Sequence, residues 1–426
     1  MQPTVTRNIA DTAREYLAHF PAILIEGARQ VGKSTLTHQL APEGTFLSLD
    51  IPEIAAAVQA DPMGAITEHP EQVTIVDEIQ YFPELTRAIK AAIDQDRRPG
   101  RFILTGSASL FSLRGTQDSL AGRIAHLNLY GFSQGELQGR REDFVARISS
   151  LQGKRTEDSQ ESVSNWASTF TSQLTRDDYI HLCTTGSYPE VQGTSTRTRN
   201  VWLDSYIHSI IHRDLGDLRR SVSPERAGSL LKILSVQQAS ELVKTHVARE
   251  IGVPERSLDP YLDLLESVQL TKHVKAWRPN LTKREVNKPK SIVLDSAVAL
   301  RQSGISERHL YERLYQQQFG MALEGFVIAE LLKQQTWSEL EFSVRHYRDS
   351  AGGEVDVVLE TDAGEIIGIE VKAASSYSGG QFTHLAALRD KLGEKFRAGI
   401  VLTTSDHGYR YADRLIGLPI SALWEL

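Results

Sequence analysis

The chain has 426 residues, 24% charged and 40% hydrophobic. This is ordinary globular usage that excludes a wholly disordered or collagen-like polymer and leaves room for two to four domains of roughly 100–200 residues. The formal net charge of −7 excludes a polycation, so nucleic-acid contact requires a local basic patch. The single cysteine, Cys183, excludes an intrachain disulfide and a cysteine-based zinc site within one chain, and suits a cytoplasmic protein.

No apolar run approaches the ~18 residues of a membrane span, so no membrane partner is expected. Residues 1–20 alternate polar and apolar side chains without a signal-peptide core. Short apolar runs then follow at 22–25, 73–76 and 102–105, with helical patterning between them, as at 84–94. Buried strands separated by helices predict a parallel sheet covered on both faces over residues 1–139.

Gly27-Ala-Arg-Gln-Val-Gly32-Lys33-Ser34 fits the phosphate-binding loop G-x-x-x-x-G-K-[ST] between a strand and a helix. The glycines let the backbone wrap an anion, and the helix N-terminus beginning near Thr35 points amides at it. Lys33 is expected to reach the β- and γ-phosphates of ATP and Ser34 to ligate Mg²⁺. Asp77 and Glu78 end the second strand, placing Asp77 beside the metal and Glu78 where it polarises the attacking water. Thr105 and Ser107 end the third strand, where a γ-phosphate contact and ordinary strand-end capping explain the hydroxyls about equally. Arg123, in Ser119-Leu-Ala-Gly-Arg123, is a candidate charge stabiliser donated to a neighbouring subunit, which would imply a ring oligomer. A surface ion pair is its plainer reading. Arg29, inside the loop, is a weaker candidate.

Residues 140–176 read as a polar linker or insertion, because Ser and Thr supply eleven of the 27 residues at 149–175. A helical region follows over 177–304. Within it, 226–300 reads as a winged helix: three short helices, then two strands joined by a basic turn. Asp259 followed by Pro260 is a favourable helix start. The stretch 255–266 nevertheless sets four acids against Arg256 alone, unfavourable beside phosphates. The next segment reverses the balance. Lys272, Lys275, Arg278, Lys283, Arg284, Lys288 and Lys290 face only Glu285, with Trp277 among them. A basic hairpin of this kind suits a DNA backbone, single-stranded or branched, although a solvated hairpin has the same composition.

From 305 onward the pattern is a helix, three strands, a helix and a strand. Thirteen residues separate Asp356 from Glu370, with an Asp-Ala-Gly turn at 362–364 between their strands. Glu370 and Lys372, two apart on a strand, share a face. Two carboxylates able to hold Mg²⁺ or Mn²⁺, a lysine, and Glu324 as a further carboxylate from the preceding helix are what phosphodiester hydrolysis requires. This order fits a restriction-endonuclease-like nuclease domain over 305–426, and a cross-strand ion pair is the bland alternative.

These phrases, with Arg213-Asp-Leu215, together resemble a widespread prokaryotic family that joins an AAA-type ATPase to a C-terminal domain of unknown function. The resemblance implies ATP binding and a nuclease-like tail. The fold class expected is therefore α/β: a P-loop NTPase domain, a helical and winged-helix middle and a restriction-endonuclease-like tail. The leading functional expectation is an ATP-dependent DNA-processing enzyme, with branched DNA as substrate by analogy. The alternative is a nucleotide-dependent switch, antitoxin- or defence-associated, whose tail only binds DNA or a partner protein.

Overall fold

The computed structural model describes residues 5–106, 120, 122–151, 166–214, 222–279, 288–349 and 352–426. Two compact units divide the chain: Met1–Phe132 with Tyr188–Glu190 and Ser267–Gln269, and the remainder.

In the first unit β1 (Ala22–Glu26), β2 (Thr45–Ser48), β3 (Thr74–Asp77), β4 (Phe102–Gly106) and β5 (Ile124–Asn128) form a parallel sheet in the order β2-β3-β4-β1-β5. β3 and β4 are buried along their whole length, as their unbroken apolar runs require. The helix Leu85–Gln95 buries Leu85, Ile89, Ala92 and Ile93 along one stripe, the i, i+4 spacing of a helix laid on a sheet. β2 and β5 are less apolar and partly exposed, which is why no run announces them. The alternating N-terminal segment is the helix Ile9–His19, whose Ile9, Ala10 and Ala13 are buried.

The first continuous stretch of the first unit ends at Phe132. Helices stand on either side of residue 140, where the expected linker or insertion (140–176) begins. A Ser133/Glu136 capping box starts the helix Gln134–Leu137, and the helix Phe144–Ser150 buries Phe144, Val145 and Ile148. Thr171 bridges His407, and Ser421 Oγ donates to Ser172 Oγ at 2.7 Å. The Ser/Thr-rich composition thus conceals segments packed into the second unit at both ends.

In the second unit, the helices Pro224–Val236, Lys244–Glu250 and Asp259–Ser267 accompany β6 (Ser240–Glu241), β7 (Thr271–Val274) and β8 (Lys290–Val293). The three strands form an antiparallel sheet in the order β6-β8-β7. The helix Gln316–Gln334 precedes β9 (Phe342–Arg348), β10 (Glu354–Thr361), β11 (Ile366–Lys372), β12 (Phe396–Thr403), β13 (Tyr409–Ala412) and β14 (Leu415–Pro419). These strands make a mixed sheet in the order β13-β14-β12-β11-β10-β9. β10 and β11 are the expected antiparallel pair, and β11 and β12 run parallel with the helix Thr383–Leu392 between them in sequence. The tail continues two strands beyond the one expected, because β13 is exposed and polar and β14 is brief. Ala276 bridges His346 on β9, and Trp277 N–H donates to the His346 carbonyl at 2.6 Å, so the small sheet adjoins the large one.

Candidate functional site

The loop between β1 and the helix Lys33–Leu40 brings the first unit's polar groups together. Gly27 is required by a close approach, since a Cβ there would lie 2.4 Å from the Leu129 carbonyl oxygen. Gly32, at φ +97°, opens the helix in a conformation that side chains disfavour. Lys33 is buried, and its Nζ donates to the carbonyls of Gly27 and Ala28 at 3.1 Å, with Glu78 Oε1 3.7 Å away. Burial lowers its pKa, opposed by Glu78 and Asp77.

Ser34 Oγ donates to Asp77 Oδ2 at 3.0 Å, and Thr105 Oγ1 donates to Asp77 Oδ1 at 2.5 Å. Burial raises the Asp77 pKa while these hydroxyls oppose it. Thr105 also accepts the Glu78 N–H at 3.0 Å, a contact to the neighbouring strand end. Glu78 sits at φ +57°, a left-handed conformation uncommon outside glycine and often found at functional sites. Gln80 Nε2 donates to its carboxylate. Ser34 and Asp77 form a hydroxyl–carboxylate pair of the kind that holds Mg²⁺ beside a nucleotide, and the chemistry of that donor set fits the ion.

Arg29 Nη2 donates to the Tyr81 hydroxyl at 2.7 Å. Thr35 is exposed on the first turn of the helix. Arg123 Nε donates to Asp94 Oδ1 at 2.7 Å, the ion pair that was its plainer reading. Ser107, Lys283 and Arg284 lie outside the described residues.

A second polar cluster lies in the tail. Val357 pairs with Ile369, which places Asp356 and Glu370 one step along the same pair of strands. The β9–β10 register shifts between Val355 and Val358, a bulge that re-aims the intervening side chains. Asp356 Oδ2 accepts the Val371 N–H at 2.9 Å. Lys372 Nζ lies 2.5 Å from Glu370 Oε2 and 3.4 Å from Asp356 Oδ2. Burial and the neighbouring Asp356 push the Glu370 carboxyl up to about 8. Burial lowers the Lys372 pKa, but Asp356 and Glu370 outweigh it and hold the ammonium raised.

Lys290 is a correction. It does not belong to an exposed basic surface: it is only 2% exposed, with its Nζ 2.7 Å from Glu324 Oε1, 2.9 Å from Glu354 Oε1 and 3.8 Å from Asp356 Oδ1. Glu324 is accordingly engaged by an ammonium. Among the described residues no three metal-ligating side chains converge as a ready-made metal cluster. Sequence reasoning missed Glu354, although it stands two before Asp356 on an alternating strand. It had no signal for Lys290, which enters from another sheet.

Of the remaining basic residues, Lys275 and Lys288 are exposed, and Lys272 pairs with Glu266 at 3.0 Å. The Arg278 guanidinium lies 5.7 Å from the Tyr347 ring centre. Trp277 is buried, so it packs rather than offering a stacking face.

Residues 19–138 match a family model described as an AAA domain, while 176–309 and 319–423 match two models each described as a domain of unknown function. An uncharacterized protein of Mycobacterium tuberculosis is 26% identical over 416 residues, covering 97% of this chain and 83% of the relative, and one of Mycobacterium bovis matches equally. Among solved structures, a Walker-type ATPase of Pyrococcus abyssi aligns with TM-score 0.42 and 15% identity over 70% of this chain and 96% of that one. A Pif1 helicase of Candida albicans aligns with TM-score 0.22 and 14% identity over 36% and 46%. No described helix is long and apolar enough to cross a membrane.

Proposed function

We propose, for a chain that joins an AAA-type ATPase domain to a C-terminal domain of unknown function, that ATP hydrolysis in the first unit drives the processing of DNA held by the second. The observation that carries this reading is the convergence of Lys33, Ser34, Asp77 and Glu78 at the ends of β1 and β3. Lys33 binds phosphate charge, Ser34 and Asp77 would hold Mg²⁺, and Glu78 polarises the attacking water. When bound, Mg²⁺ would neutralise developing phosphate charge.

In this reading residues 226–300 act as a winged helix that presents Lys275 and Lys288 to the DNA backbone. The tail is a restriction-endonuclease-like domain with Asp356, Glu370 and Lys372 in the hydrolytic positions, and forked or branched DNA is its substrate. Arg123 exchanges Asp94 for a neighbour's nucleotide in a ring of subunits. Mixing Arg123→Ala with Glu78→Gln protein tests that step: ATPase activity returns if an interface joins the two intact residues, and its absence despite proven subunit exchange excludes it.

A second reading is favoured by the ammonium groups of Lys290 and Lys372 among the tail carboxylates. In it the tail grips DNA or a protein without cutting, and ATP sets a switch. ATPase rates with and without single-stranded, duplex and branched DNA separate the two. Strong stimulation by one form supports the motor, and indifference to all of them supports the switch.

A further inference from the structure

Arg7 is only 5% exposed and stands just before the helix Ile9–His19. Its Nη1 donates to the Val31 carbonyl at 2.9 Å, and its Nη2 donates to the carbonyls of Tyr130 at 2.7 Å and Gly131 at 3.4 Å. The guanidinium lies 4.9 Å from the centre of the Phe132 ring. One side chain therefore joins the phosphate-binding loop to the chain that leaves β5, and all these residues belong to the first unit. The same segment braces the other end of the loop, because the Leu129 carbonyl leaves room at position 27 for glycine alone. Hydrogen bonds from a charged donor are the stronger kind, and the rigid guanidinium fork fixes the carbonyls it holds relative to one another.

The Val31 carbonyl matters because of what lies across its peptide bond. The described peptide bonds are all trans, and in a planar trans unit the Val31 C=O and the Gly32 N–H point in opposite directions. Gln30 at φ +63° and Gly32 at φ +97° curl the loop into the kind of concavity that turns successive amides toward an anion. We propose that Arg7 is a positioning residue for this loop: it holds the Val31 carbonyl away from the nucleotide, so that the Gly32 N–H is aimed at a phosphate. The inference rests on the reading of the loop as an ATP site and adds a residue outside the motif. A Cβ built on Gly32 would lie 3.7 Å from Arg7 Nη1, so the guanidinium also sets its charge beside the helix N-terminus that receives the phosphates. Without Arg7 the peptide can turn, and a carbonyl facing phosphate opposes binding instead of supporting it.

ATP binding and steady-state hydrolysis by the full chain test this. Arg7→Ala should raise the ATP Kd and KM by roughly fivefold or more while kcat changes by less than about twofold, the pattern of an interaction made equally in ground and transition states. Arg7→Lys keeps the charge, but one ammonium cannot reproduce the fork, so its KM should still rise by roughly twofold or more. This variant decides the matter if Arg7→Ala does not fold. Ile9→Ala loosens the adjoining helix without removing the bond to Val31, and should leave KM within about twofold of the wild type. A wild-type KM in Arg7→Lys, or in a folded Arg7→Ala, would overturn the proposal and leave the ATP site standing. An equal rise of KM in Ile9→Ala would overturn it too, by making Arg7 a support of the helix only. A wild-type chain that binds no ATP would overturn both readings.

Discussion

The nucleotide site and the tail cluster both gather buried lysine and carboxylate, yet they are assembled in opposite ways. In the first, Gly27 to Ser34 is one continuous loop, and the remaining groups stand at the ends of adjacent parallel strands. The backbone sets each side chain, and Lys33 is satisfied by carbonyls of its own loop. In the second, the charges come from β8, the helix Gln316–Gln334, β10 and β11, and each holds another in place. A local motif survives the loss of one charge, while a cluster of mutually compensating charges does not.

The largest expected effect breaks the chemistry of the first site without breaking its fold. Glu78→Gln should keep ATP bound and lower turnover about 10²–10⁴-fold, the range for removing a positioned acid–base group. Lys33→Ala should lose tight binding. Both should unfold near the wild-type denaturant midpoint. Nucleotide-binding titration, phosphate release and urea unfolding together check this, and normal turnover by Glu78→Gln would remove that residue from its role.

The matching substitution in the tail should do the reverse. Asp356→Ala removes the acceptor of the Val371 N–H and a partner of both Lys290 and Lys372. Breaking a buried charge network in this way costs roughly 3–5 kcal/mol, so a clear fall in the urea midpoint of the second unit is expected. A midpoint close to the wild type would mean the cluster tolerates loss as the loop does, and the contrast would fail.

The same contrast explains what was legible in the sequence. The strand–loop–helix and the acids ending β3 could be read because spacing along the chain fixes their geometry. Asp356, Glu370 and Lys372 could be paired for the same reason, through a hairpin turn. Lys290 could not, because its partners are set by the packing of one sheet beside another, and in the sequence it looks like one more basic residue of a hairpin. The segment around Glu142 misled similarly: polar composition suggests a linker, but tertiary burial of Phe144, Val145 and Ile148 decides the structure.

Glu142 is a buried carboxylate outside both sites and supplies a smaller effect. Burial pushes it up to about 7, against the opposing Ser133 hydrogen bond. The folded state therefore holds its proton more tightly than the unfolded chain. Its contribution to stability is fully present below about pH 4.5 and is lost as pH rises through about 7, by up to about 3 kcal/mol. Glu142→Gln cannot titrate and should flatten the fall in stability across that window. Urea midpoints measured from pH 4.5 to 8 check it, and parallel pH curves for the two proteins would show that Glu142 does not carry the dependence.

The smallest effect separates the exposed basic residues from the buried one. Lys275 and Lys288 are exposed and Lys290 is not, although all three belong to one basic stretch of sequence. If DNA runs along this surface, each exposed lysine that meets a phosphate releases about 0.9 counterions on binding duplex DNA. Replacing Lys275 and Lys288 by Ala should then lower the slope of log affinity against log salt by up to ~2. Lys290→Met should leave the slope where it was, because its ammonium faces Glu324 and Glu354 rather than solvent. Fluorescence anisotropy with duplex DNA from low to moderate salt reads both. A slope unchanged by the double replacement would reduce the hairpin to a solvated surface. A slope lowered by Lys290→Met would mean that Lys290 leaves its carboxylates when DNA binds, coupling the two halves of the second unit.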